Sequence, residues 1–143
     1  MYKKIVVGTD GSPTASVAVD HALGLARATG AVVHIVTAYK AAAAFTAMGP
    51  GVVLPDQDGM EEEARRVCEE AAAAARASGL QVVTHATEGD PADALVNIAE
   101  HEDADLIVVG NRGMMGARRF LTGSVPNRVS HHCPCHLLVV HTS

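Results

Sequence analysis

The 143-residue sequence predicts an α/β domain built on a single doubly wound parallel sheet with helices on both faces. Three observations carry that expectation. Five short, nearly unbroken apolar runs, rich in Val and Ile, alternate with longer segments whose apolar residues recur at helical spacing. The runs lack the in-and-out alternation of a sheet with one wet face, so both of their faces are expected to be covered. Hydrophobic residues make up 48% of the chain, enough for one compact core. The expected organisation is one domain spanning residues 1–143.

The strands are expected at 3–9 (KKIVVGT), 31–38 (AVVHIVTA), 80–86 (LQVVTHA), 105–110 (DLIVVG) and 136–141 (HLLVVH). Between the first two, Ser12 can cap a helix and Pro13 can occupy its first turn; Gly30 ends it. Its inner stripe is Ala15, Val19, Ala22, Leu23 and Ala26. A second helix, near 59–78, carries Ala64, Val67, Cys68, Ala71 and Ala75 on one face and stops at Gly79. The third opens with Asp90 as cap and Pro91 behind it, with Asp93 expected to reach back in the manner of a capping box. Ala92, Leu95, Val96 and Ala99 form its buried face. A fourth should begin near Gly123 and Ser124. Segment 40–58 fits no regular element and exceeds the usual connection length; it reads as a lid or as an excursion from the core.

Strands joined through helices wind with right-handed crossovers, and in such Rossmann-like sheets ligands bind beyond the carboxyl ends of the strands, where the winding reverses. With strand order 3-2-1-4-5 the crevice falls between strands 1 and 4. The loops that meet there are GTDGS, after strand 1, and GNRGMMGARRFLTGS, after strand 4.

Charge is unevenly distributed. The net charge is −5, yet all sixteen acidic groups lie within residues 1–105, against seven Lys and Arg. From Leu106 onward there is no Asp or Glu, while Arg112, Arg118, Arg119 and Arg128 are present, so this end is suited to an anion. Glycines 110, 113 and 123 let backbone N–H groups approach a ligand without a Cβ in the way. Gly123 and Ser124 then precede a helix, whose N-terminus carries about +0.5 of an elementary charge. Asp10, at the mouth of strand 1, could accept from a ribose hydroxyl or hold a metal-bound water; the local alternative is an Asx turn within TDGS.

Several function classes are excluded. An acidic chain with two Tyr, two Phe and no Trp has little with which to bind nucleic acid. No apolar run approaches the roughly 20 residues of a membrane helix, and none reads as a signal peptide. Three cysteines, with Cys133 and Cys135 too close for a routine disulfide, point to a reducing cytoplasm. There is no Walker P-loop, since no Lys follows Lys40, and strand 1 lacks the G-x-G-x-x-G dinucleotide fingerprint. The acceptor aspartate and final lysine of a receiver domain are missing too. The run SHHCPCH offers zinc ligands in His131, His132, Cys133, Cys135 and His136, but no second ligand pair stands at finger-like spacing, so no metal site is expected there. His21, His34, His85, His101 and His141 are scattered and read as structural. No catalytic group can be assigned from spacing.

The stretch Gly110-x2-Gly113-x9-Gly123-Ser124 resembles the G-2x-G-9x-G-[S/T] signature of the ATP-binding branch of the universal stress protein family. KKIVVGTDGS and CPCHLLVVH resemble that family's opening and closing strands, and the similarity covers nearly the whole chain. The start of the last strand departs from the pattern, with Cys135 and His136 replacing a small aliphatic pair. The resemblance implies bound ATP, with Mg2+ or Mn2+, in a nucleotide-dependent stress-response regulator. Gly110, Gly113, Gly123 and Ser124 would then hold the phosphates. Asp10 would sit at the nucleoside end, and the backbone of Thr37 against adenine. Their neighbours Gly8, Thr9, Asn111, Arg112 and Val125 complete the candidate nucleotide-binding set. It further implies a homodimer paired through the last strand, His136 to His141, whose apolar edge would otherwise be exposed. Cyclic AMP on the same scaffold, or an interaction module that binds no nucleotide, are the alternatives.

Overall fold

The computed structural model describes residues 1–40, 49–51, 56–111 and 125–142. Five strands, β1 (Lys4–Gly8), β2 (Val32–Tyr39), β3 (Val82–Glu88), β4 (Leu106–Gly110) and β5 (His136–Val140), form one parallel sheet in the order β3-β2-β1-β4-β5. Among the described residues, four helices alternate with them: α1 (Pro13–Thr29), α2 (Gln57–Ala77), α3 (Pro91–His101) and α4 (Val125–His132).

The helix limits follow from local chemistry. The Ser12 side chain accepts from Ala15 N–H, Pro13 fills the first turn, and Gly30 closes α1 at φ 76°, a left-handed conformation that glycine adopts without strain. α2 starts two residues earlier than the spacing predicts, because Asp56 caps it by accepting from Asp58 N–H. Its closing turn reaches Leu80, whose N–H bonds the Ala75 carbonyl, and this delays β3 from the expected 80 to Val82. Asp90 caps α3 as expected, accepting from Ala92 and Asp93 N–H. Asp93 corrects the expectation of a reciprocal box: its carboxylate faces Arg128 of α4, 3.4 Å away. Val96, expected on the inner face of α3, is only partly buried, and Ala94 is buried instead.

The two sheet faces carry separate cores. Ile5, Val7, Val33, Ile35, Leu106 and Val108 pack against α1 and α2, whose contact residues are largely alanines. Val6, Val36, Ile107 and Val109 pack against α3 and α4 through Leu95, Ala99, Val125 and Val129. Small helix residues let the helices lie close to the β-branched surface, and each fully buried Ile or Leu contributes about 1.5–3 kcal/mol.

β4 is tied to its neighbours at both ends by polar side chains. At its start, Asp105 accepts from the backbone N–H groups of Lys3 (2.7 Å) and Lys4 (2.9 Å) ahead of and within β1. At its end, Asn111 Oδ1 accepts from the N–H and the hydroxyl of Thr142, both at 2.8 Å, just past β5.

Candidate functional site at the ends of β1 and β4

Winding runs outward from β1 to β2 and β3 on one side and continues with β4 and β5 on the other, so the carboxyl ends of β1 and β4 lie side by side at the reversal. The pairing Val7↔Val108 brings Thr9, Asp10, Gly110 and Asn111 to the same end of the sheet.

Gly8 pairs with Val36 and is buried. Thr9 is buried as well; its N–H donates to the Val36 carbonyl, and its hydroxyl oxygen accepts from Gly11 N–H at 3.1 Å. Asp10 is exposed, and its Oδ1 accepts from Ser12 N–H at 2.9 Å, so the Asx turn weighed from the sequence is formed. A carboxylate has further acceptor capacity, and that turn holds Asp10 at the strand mouth. Thr37 is buried toward α2, where its hydroxyl accepts from the Cys68 thiol at 3.0 Å. Only its backbone is left for a ligand. Burial pushes the Cys68 thiol above its ordinary pKa, which suits a core group and not a nucleophile.

Gly110 has a reason within the protein for lacking a side chain. A Cβ there would lie 2.9 Å from Cγ2 of Thr142, closer than real contacts allow. Asn111 donates its N–H to the Val140 carbonyl (2.8 Å), and its amide oxygen is committed to Thr142, which leaves the NH2 as the side available to an anion. Val125 is the first residue of α4, its side chain in the core beside Val129. Arg112, Gly113, Gly123 and Ser124 lie outside the described residues, as do Arg118 and Arg119. Arg128, the remaining arginine of the acid-free segment, is paired with Asp90 (2.6 Å) and Asp93 and so turned toward α3.

Among the described residues the structure also gathers groups that the sequence left scattered. His34 on β2 and His85 on β3 approach to 2.9 Å, Nδ1 to Nε2, with Glu102 beside them. Pairing of adjacent strands was the signal: both histidines stand among apolar strand residues, but only the register reveals that they share a face. The His/Cys run at 131–136 does not gather in this way. Burial and the neighbouring Cys133 push the Cys135 thiol up to about 12. Cys68, Cys133 and Cys135 are all free thiols, and no helix among the described residues is long and apolar enough to cross a membrane.

Comparison with known proteins agrees with this architecture. The family model described as "Universal stress protein family" matches residues 1–141. Universal stress protein MJ0531 of Methanocaldococcus jannaschii is 35% identical, over 98% of this chain and 82% of its own length. A universal stress protein solved in complex with cAMP superposes with a TM-score of 0.74 at 36% identity, covering 99% of this chain and 98% of the other. A universal stress protein from Archaeoglobus fulgidus, solved in complex with dAMP, gives 0.70 at 25% identity, with 96% and 97% covered. The sheet order and these matches together establish that the chain belongs to the universal stress protein family.

Proposed function

We propose that the chain binds an adenine nucleotide, with ATP as the ligand, in the crevice between β1 and β4, and works as a nucleotide-dependent regulator in a stress response. The observation that carries this reading is the side-by-side placement of the β1 and β4 ends at the winding reversal, the place where such sheets take ligands. Relatives solved with cAMP and dAMP support an adenine nucleotide.

The described residues fit such a ligand. Gly8 and Thr9 put little bulk at the strand mouth, Asp10 offers a carboxylate to a ribose hydroxyl, and Thr37 can present only backbone to a base. Phosphates would be held by Gly110, Asn111, Arg112, Gly113, Gly123, Ser124 and the amide of Val125, on a stretch free of acidic residues. Mg2+ or Mn2+ would neutralise part of the phosphate charge, with Asp10 as the nearest carboxylate in sequence to the strand mouth. In this reading nucleotide occupancy is the output, and slow hydrolysis through metal and solvent is compatible with it. In this reading residues 1–143 are one domain in a reducing cytoplasm, paired with a second copy through β5.

Cyclic AMP is the second reading, favoured by the 36% identical relative solved with it. Titration of nucleotide-stripped protein with ATP, ADP and cAMP separates the two. In the same assay Gly123→Val should cost at least about a hundredfold in ATP affinity, with the circular dichroism unchanged, because a side chain at a phosphate cradle displaces the anion. Unchanged ATP affinity in that variant refutes the cradle.

A further inference from the structure

We propose that His34, His85 and Glu102 form a binding site for a borderline divalent transition ion of the Zn2+ type, separate from the nucleotide crevice. The register His34↔Val83 and Val36↔His85 puts the two histidines on the α3 and α4 face of the sheet, on adjacent strands. Their rings stack with centroids 5.2 Å apart and 21° between planes, and His34 Nδ1 lies 2.9 Å from His85 Nε2. Glu102 follows α3 as its cap residue and brings a carboxylate to the pair; the three ligand atoms lie within 4.8 Å of one another.

The nitrogen separation is the informative number. Two imidazoles bound to one tetrahedral ion at about 2.0–2.1 Å have their nitrogens about 3.3–3.4 Å apart. The pair is hydrogen-bonded at 2.9 Å, so the rings must part by only about 0.4 Å to take one ion. Both imidazoles are held toward the neutral, ligating form, chiefly by burial, with His85 adding to the effect on His34. Glu102 supplies the compensating negative charge. Of the other charges near the pair, Lys4 has its ammonium anchored on the Glu102 carbonyl oxygen at 2.7 Å, and His101 ends α3. Two nitrogens and one carboxylate select borderline transition ions over Mg2+ or Ca2+ and leave a position for water.

Access and placement agree. His34 is buried, whereas His85 and Glu102 are half-buried, and the neighbouring Val83 on the outer strand is 42% exposed, so the site opens at the sheet edge. Lys4, which opens β1, reaches the Glu102 carbonyl, and this puts the site toward the amino ends of the strands, away from Asp10 and Asn111.

The test uses the full chain with Cys133→Ser and Cys135→Ser, so that exposed thiols do not compete, stripped with chelator and titrated with Zn2+ alone. Imidazole nitrogen resonances are followed by long-range proton–nitrogen correlation. One equivalent should shift the nitrogens of His34 and His85, leaving those of His131, His132 and His136 in place. Glu102→Gln should weaken binding at least tenfold and His85→Gln at least a hundredfold. Shifts confined to His131, His132 and His136, no shift at all, or His85→Gln binding as tightly as its parent would overturn the proposal. The spectrum of the parent decides it even if a histidine variant fails to fold.

Discussion

Gly110→Ala tests whether that glycine is required by the protein itself. The new Cβ would sit 2.9 Å from Thr142 Cγ2, so Thr142 must turn or retreat. Thr142 is not free to do so, because its N–H and its hydroxyl both donate to Asn111 Oδ1 at 2.8 Å. Rotating the side chain away sacrifices the hydroxyl bond, worth about 1 kcal/mol net. Staying in place leaves a contact of the overpacked kind, about 1–3 kcal/mol. Against this, replacing glycine at a position where φ is not in the left-handed region returns about 0.5 kcal/mol by restricting the unfolded chain. The net expectation is a loss of about 1 kcal/mol, seen as a lower denaturation midpoint at unchanged slope in urea. Thr142→Ser keeps the hydroxyl and N–H donors but removes Cγ2, so Gly110→Ala combined with Thr142→Ser should recover most of the loss. A Gly110→Ala variant as stable as its parent, or a double variant no better than the single one, refutes the steric account. ATP affinity in the rescued double variant then reports separately on any role Gly110 has toward phosphate.

Two further predictions concern other parts of the sheet. The backbone N–H groups of Lys3, then of Lys4, hold the Asp105 carboxyl below the ordinary aspartate pKa. A depressed folded-state pKa gives stability that is present above the unfolded value, about 4, and lost as pH falls through the folded one. Asp105→Asn should therefore lower stability at neutral pH, and the gap to the parent should shrink below pH ~4; denaturation curves that stay parallel down to pH ~2 would contradict this. On β5, Leu138 and Val139 are 36% and 47% exposed on an outer strand. If a second copy covers that strand, Val139→Asp should convert a dimer to a monomer in sedimentation at micromolar concentration without loss of secondary structure, and a parent that sediments as a monomer contradicts the pairing.

Most of the architecture was legible in the sequence because two strong local signals coincide. The buried parallel strands are uninterrupted apolar runs, and Ser12, Gly30 and Asp90 mark helix limits by hydrogen bonds made within a few residues. The boundaries that differ have equally local causes: Asp56 caps α2 ahead of its expected start, and the Leu80 N–H is spent on closing α2. Tertiary partners were not legible. The apolar and polar spacing along α3 cannot reveal that Asp93 faces Arg128, since the two are brought together only when α3 packs beside α4. Likewise Gly110 and Asn111 stand out as loop residues suited to an anion, whereas their contacts with Thr142 depend on where the chain leaves β5. His34 and His85 are separated by 51 positions and meet only through strand register.

The paired ties on β4 have a mechanical consequence. Asp105 clasps the beginning of the strand to the β1 side and Asn111 clasps its end to the chain leaving β5, so sliding by one residue would break both clasps together and move each buried β4 side chain from one core to the other. A pull on the chain at Asn111 is therefore met first by the two hydrogen bonds to Thr142, before it can act on the register of β4.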